Sequence, residues 1–234
     1  AVLLAGEKDR GFERYLKGAR EVIGPAEVVE RHRGWRVALA ERSDSPAPPP
    51  PAPATFGLEL RGRALDFEAL PGVFSSGKLD RATGLLLSAL PPGAGRRVLD
   101  IGCGGGPLAV ALAAEGAAVT ALDDDLNAVA ATRASLARNG LAGSVRHSDV
   151  DGALEPDERF DLIVANPPFH VGSRVVLDVP AEFVKAAGRR LAPGGEFWLV
   201  ANDFLPYEPL LRAIGPVGTA ARSGGFKVLL AAAR

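Results

Sequence analysis

Three polar positions, each closing an apolar run, carry the chemistry that this chain offers. Val98-Leu99-Asp100-Ile101 reads as a short buried strand. Gly102, Gly104 and Gly106 follow at alternate positions, and Pro107 then opens a helical stretch that runs to Glu115. Backbone without Cβ atoms approaches a ligand closely, and a helix amino end presents unpaired N–H donors. The pattern is a nucleotide-type cradle. It departs from the dinucleotide fingerprint, whose third glycine would fall at Pro107. Asp100, an anion beside the loop, repels a pyrophosphate and suits a ligand with a cationic amino-acid end. Val119-Thr120-Ala121-Leu122-Asp123 is a second apolar run ending in an acid, at the spacing of a ribose-binding carboxylate. The third run, Asp161 to Ala165, leads into the corner Asn166-Pro167-Pro168-Phe169-His170.

Composition bounds what can surround these residues. A chain of 234 residues holds one α/β domain and a smaller piece, and a hydrophobic content of 47% supports a sizeable core. No apolar run reaches membrane-spanning length, and the first residues lack a signal-peptide pattern. The single cysteine, Cys103, precludes an internal disulfide and fits a reducing compartment, so a cytoplasmic location is expected. With no second cysteine or histidine partner in its motif, Cys103 reads as a small filler and no metal is expected. A net charge of −1 does not mark a nucleic-acid binder, which would need a local basic surface. Methionine is absent even from position 1. Either an initiator was removed ahead of Ala1 or the true amino terminus is missing.

The elements that must position the three polar residues are legible in order. Ala1 to Ala5 is a short apolar run, Phe12 to Val22 has helical spacing, and Glu27–Arg33 and Trp35–Ala40 read as strands. The basic residues of this portion are interleaved with acids, as on a solvated face, with an RNA-facing patch as the alternative. Six prolines between Ser43 and Ala54 make a stiff, extended linker and set the domain boundary. Phe56–Arg61 and Ala64–Phe67 flank Gly62-Arg63 as a hairpin. Asp80 caps a helix that continues to Leu90. Beyond the glycines, strands and helices alternate through Ala118–Asp123, Leu126–Asn139, Val145–Ser148, Phe160–Ala165, Pro180–Arg190, Glu196–Ala201, Tyr207–Ile214 and Phe226–Ala232. Such alternation implies a mostly parallel sheet covered on both faces.

Taken together, Asp100 with its glycines, Asp123 and the Asn166 corner resemble a class I S-adenosylmethionine-dependent methyltransferase acting on a planar amino nitrogen. The resemblance sharpens with Leu70-Pro71-Gly72-Val73-Phe74-Ser75, Leu79-Asp80 and Gly225-Phe226-Lys227-Val228. The chain from about Leu58 onward is similar to the bacterial small-subunit rRNA guanine-N2 methyltransferases, and almost as similar to their large-subunit relatives. The resemblance implies a doubly wound, seven-stranded Rossmann-like α/β sheet over residues 55–234, preceded by a linker (43–54). Residues 1–42 are then a small α/β remnant, the tail of a degenerate amino-terminal methyltransferase-like domain. It implies S-adenosylmethionine as cofactor and ribosomal RNA or a ribosomal subunit as partner, with no metal and no membrane.

Site roles come with the family. Asp100 would orient the cofactor's methionine end or hold the glycine loop through backbone N–H groups, and Gly102, Gly104 and Gly106 would cradle the cofactor. Asp123 would hold its ribose and Asp149 its adenine; Asp124 and Asp125 compete with Asp123 for the ribose. Asn166, Pro167 and Phe169 would be catalytic. An exocyclic amine conjugated to a purine is planar and weakly nucleophilic, and two acceptors can hold its N–H groups so that the lone pair turns towards a methyl donor. The Asn166 side-chain oxygen and the Pro167 carbonyl are those acceptors, two prolines stiffen the corner, and Phe169 stacks on the base. His170 is a candidate base, although water can take the released proton. Phe74 and Ser75 are pocket or core residues. The same corner would serve adenine N6 or a glutamine amide, and a non-catalytic RNA-binding module on the same fold is the alternative outside enzymes.

Overall fold

In the computed structural model, residues 1–43, 53–74, 77–168, 170–171, 174–175 and 178–233 are described, 170–171 and 174–175 as backbone only. The Ser43–Ala54 linker expectation falls almost wholly outside them, as do Ser75 and Phe169. The chain divides into two compact units, Ala1–Ala52 and Pro53–Arg234.

In the first unit, β1 (Val2–Glu7), α1 (Phe12–Val22), β2 (Ala26–His32) and β3 (Trp35–Ala40) form an antiparallel sheet of order β1-β3-β2 under one helix. Helical spacing puts Phe12, Leu16 and Ala19 on one face of α1, where they bury Ala26, Ala38 and Ala40.

The second unit opens with a hairpin, β4 (Ala54–Leu60) and β5 (Arg63–Ala69), then α2 (Arg81–Ala89), β6 (Arg97–Ile101), α3 (Pro107–Ala114), β7 (Ala118–Asp123), α4 (Leu126–Arg138), β8 (Ser144–His147) and β9 (Phe160–Ala165). A two-residue pair, β10 (His170–Val171) and β11 (Arg174–Val175), precedes α5 (Asp178–Arg190), β12 (Leu191–Asn202), α6 (Glu208–Leu211), β13 (Val217–Ser223) and β14 (Phe226–Ala232). Seven strands form one sheet of order β13-β14-β12-β9-β6-β7-β8, parallel from β12 to β8. The period-2 alternation sends Val98, Leu162, Val164 and Val200 to a layer built by α2, α3 and α4. It sends Leu99, Ile101, Ile163 and Leu199 to a layer built by α5 and α6.

Helix α3 is apolar all round because it is covered twice, by the sheet and by the β4–β5 hairpin, which contributes Leu60, Leu65 and Phe67 to the same core. The hairpin is fastened to α4: the backbone N–H groups of Asp66 and Glu68 donate to Asn139 Oδ1 and Ser135 Oγ, and Arg138 pairs with Glu68.

Local differences from the sequence reading have local causes. The hairpin turns at Arg61-Gly62 rather than Gly62-Arg63, since its two-residue turn needs positive φ at both positions and these have +50° and +74°. The helix expected over Tyr207–Ile214 is only Glu208–Leu211, because the Ala213 and Ile214 N–H groups bond three residues back, tightening the end. Strand β12 begins early, at Leu191, and its register shifts before Glu196, around Gly194-Gly195. The unanticipated β13 is an edge strand whose largely exposed residues leave no apolar pattern to read.

Candidate active site

Strand β6 lies between β7 and β9, so the chain leaves the sheet centre in opposite directions on either side of it. This reversal is where open α/β sheets form their ligand crevice, beyond the carboxyl ends of the strands. The structure has a cavity of about 640 Å³ there, with Gly102, Gly104, Asp123, Asp149, Asn166 and Pro167 on its walls. The three apolar runs therefore converge because β6, β7 and β9 are adjacent and parallel.

Asp100 is not on that wall. Fully buried beneath the loop, it accepts the Ala109 N–H through Oδ2 (3.1 Å), tying β6 to the first turn of α3, while Oδ1 finds no partner among the described residues. Burial pushes its pKa up to about 8; the charge of Asp123 adds to this and the Ala109 N–H opposes it. Gly102 and Cys103 donate their N–H groups to the Leu122 carbonyl (2.9 and 3.0 Å), locking the loop to β7. Gly106 also lies off the wall. Its φ is +87°, and a Cβ there would come within 2.8 Å of Thr132 Oγ1. Thr132 in turn donates to the Gly104 carbonyl at 2.9 Å. The Cys103 thiol is buried and its pKa is pushed well up by burial and by the Asp100 charge, so it stays an un-ionised filler.

Asp123 closes β7 at the cavity edge. Oδ2 accepts the Gly104 N–H (2.8 Å) and Oδ1 the Asp125 N–H (2.9 Å), which leaves each oxygen a further lone pair. Partial burial raises its pKa, and those two N–H groups pull the other way. Asp125 is occupied in capping α4 through the Asn127 N–H, which separates its role from that of Asp123. Beside it, the Ser148 N–H donates to the Asp123 carbonyl (2.9 Å), and exposed Asp149 then precedes Val150, held at φ +48°, a strained value for a β-branched residue and a common mark of a working site.

Asn166 leaves β9 half-buried, and Pro167 behind it is buried. The Asn166 side-chain amine donates to Asp80 Oδ2 (3.2 Å) and Thr83 Oγ1 (2.9 Å). Asp80 is also the N-cap of α2, accepting from the Thr83 N–H (2.9 Å) and hydroxyl (3.2 Å). Sequence reasoning assigned Asp80 the cap alone; its reach to a residue 86 positions later has no sequence signal. Asp178, Glu182 and Phe183 of α5 also line the cavity, and Phe74 reaches it from the loop after β5. The cavity wall carries five carboxylates (Asp123, Asp124, Asp149, Asp178 and Glu182) and no basic side chain among the described residues. Its field favours a cation.

Among the described residues no cluster of His, Cys, Asp and Glu is placed to hold a metal, and no helix is long and apolar enough to cross a membrane. Residues 64–230 match the family described as methyltransferase small domain. The chain is 40% identical over 233 residues to ribosomal RNA small subunit methyltransferase C of Pseudomonas aeruginosa (strain LESB58), covering 97% of this chain and 69% of that protein. It is 46% identical over 167 residues to the protein of the same name from Klebsiella pneumoniae, covering 70% of this chain and 48% of that one. A solved structure, the T. thermophilus 16S rRNA N2 G1207 methyltransferase (RsmC) in complex with AdoMet and guanosine, superposes with a TM-score of 0.90. Its sequence identity is 48%, over 99% of this chain and 64% of that one. The chain thus spans about two thirds or less of the length of these relatives. Strand order, cavity and sequence agree: the chain belongs to the methyltransferase small domain family, among the ribosomal RNA small subunit methyltransferase C proteins.

Proposed function

We propose that this chain transfers a methyl group from S-adenosylmethionine to the exocyclic N2 of a guanine in small-subunit ribosomal RNA. The observation that carries the reading is that Asn166 and Pro167 share one cavity with Asp123, Asp149 and the glycine loop. The residues present fit the cofactor. The free lone pairs of Asp123 suit two ribose hydroxyls, Gly102 and Gly104 leave backbone exposed, and a wall with five carboxylates and no basic side chain among the described residues suits a molecule bearing sulfonium and ammonium charges. When bound, the cofactor supplies an electrophilic methyl group and its own leaving group.

The protein's share is binding and aim. The Asn166 oxygen and the Pro167 carbonyl accept the two N–H groups of the amine, holding its lone pair out of conjugation. Pro167 and Pro168 limit backbone freedom, so this geometry is set before the base arrives. The same acidic wall disfavours phosphate, so the base enters alone and the RNA backbone stays outside; extruding the base costs a few kcal/mol. Phe169 offers an aromatic face worth about 1–3 kcal/mol of stacking.

Asn166→Ala tests the reading. Affinity for S-adenosylmethionine, measured by calorimetry, should barely change, while turnover on rRNA falls about 10²–10³-fold, the usual effect of losing one preorganised hydrogen-bonding group. Nucleoside mass spectrometry of the wild-type product should show N2-methylguanosine. Normal turnover in the variant, or methyl groups on adenine or glutamine, overturns it.

A further inference from the structure

We propose that Asp80 and Thr83 are positioning residues for methyl transfer, acting through the Asn166 side chain; this rests on the reading that Asn166 Oδ1 receives the target amine. The argument is a proton count. Among the described residues four hydrogens converge on this cluster: two on Asn166 Nδ2, one on the Thr83 hydroxyl and one on the Thr83 backbone nitrogen. Asp80 Oδ2 accepts three of them and Thr83 Oγ1 accepts the fourth, and every donor is used.

The count allows one orientation of the Asn166 amide. Turned over, the amide would bring Oδ1 to about the 3.2 Å that now separates Nδ2 from a carboxylate oxygen, acceptor against acceptor. With both Nδ2 hydrogens committed to α2, Oδ1 is the end of the amide left to accept. Asparagine alone does not decide which end faces a substrate, since its two ends are nearly the same shape. Here the decision comes from a helix cap. Asp80 is well suited to it because a carboxylate accepts and never donates, and buried Thr83 can pass its own hydrogen to Asp80 while receiving one from Asn166.

A plain N-cap makes a different prediction, and three variants of the full chain separate the two. Asp80→Ser keeps a good cap for α2 but is too short to reach Asn166. Thr83→Val removes only the hydroxyl at nearly constant volume, and Thr83→Ser restores it. Methyl transfer from radiolabelled S-adenosylmethionine to rRNA gives kcat, calorimetry gives cofactor affinity and thermal melting gives stability. Asp80→Ser and Thr83→Val should each lower kcat roughly tenfold or more, the scale of a hydrogen bond involving a charge. Cofactor affinity should stay within about twofold, and Thr83→Ser should regain most of kcat.

The deciding measurement is the same Asp80→Ser change made in an Asn166→Ala chain. If Asp80 acts through Asn166, the second change leaves kcat within about twofold. An equal loss in both backgrounds, or full activity of Asp80→Ser in the wild-type background, overturns the proposal while leaving the role of Asn166 intact. Normal turnover of Asn166→Ala itself would overturn the underlying reading instead.

Discussion

Asp100 makes the stability of this protein depend on pH in a way that one substitution exposes. Its carboxyl lies fully buried beneath the glycine loop, with an ordinary pKa of 3.8 pushed up to about 8 in the folded state. Between those values the folded chain keeps a proton that the unfolded chain has released. The contribution is therefore fully present below about pH 4 and is lost as pH rises towards 8. Within the window the slope approaches 1.4 kcal/mol per pH unit, so raising the pH from about 5 to 7 removes up to about 3 kcal/mol. Asp100→Asn keeps the shape and cannot ionise. Urea unfolding of both chains without cofactor, at several pH values from 5 to 8, should show the wild type losing stability relative to the variant across this range. A difference that stays constant with pH would mean that Asp100 carries the same charge folded and unfolded, and the reasoning would fail. Because a cationic ligand favours the ionised carboxyl, S-adenosylmethionine binding near pH 7 should also release protons. Calorimetry in two buffers of different ionisation heat reads that release, and Asp100→Asn should diminish it.

Other outcomes follow from the same geometry. Asp123→Ala removes a charged acceptor and should weaken S-adenosylmethionine binding roughly ten- to a hundredfold by calorimetry, about 1.5–3 kcal/mol; unchanged affinity would move the ribose contact to Asp124. Gly106→Ala places a Cβ against Thr132 at positive φ and should cost about 1–3 kcal/mol in denaturant unfolding, whereas Gly104→Ala, with nothing within 4 Å of the added Cβ, carries the backbone strain alone and should cost less. Removing residues 1–42 should leave cofactor affinity intact while lowering activity on long RNA, since every residue of the cavity wall lies in the second unit.

The sheet was legible because its strands are short apolar runs with acids or glycines at their ends, and those ends are also where ligands bind. Asp100, Asp123 and Asn166 stood out for the same reason. The positions that escaped are those supplied by other parts of the chain. Asp178 and Glu182 reach the cavity from α5 with no local pattern, and the link from Asp80 to Asn166 exists only once α2 packs over β12 and β14. Asp100 and Gly106 show the converse. Their spacing marks them as cradle residues, yet one lies under the loop as a tie to α3 and the other makes room for Thr132. A motif records which residues the loop needs, and only packing tells which of them a ligand can meet.

The fastening of the β4–β5 hairpin to α4 has a consequence for how the protein is made. The bonds that hold it join residues 67 to 73 positions apart. A lone two-stranded hairpin is marginally stable at best, and this one carries Phe56 and Phe67 stacked on its inner face, with ring centroids 5.6 Å apart. At a synthesis rate of roughly 5–20 residues per second, the hairpin leaves the ribosome about 3–15 s before the helix to which it is fastened. For those seconds the nascent chain exposes two strand edges and an apolar surface, the features that recruit chaperones or neighbouring chains. Slower translation between Ala69 and Asn139 should lengthen that exposure and lower soluble yield, leaving the finished fold unchanged.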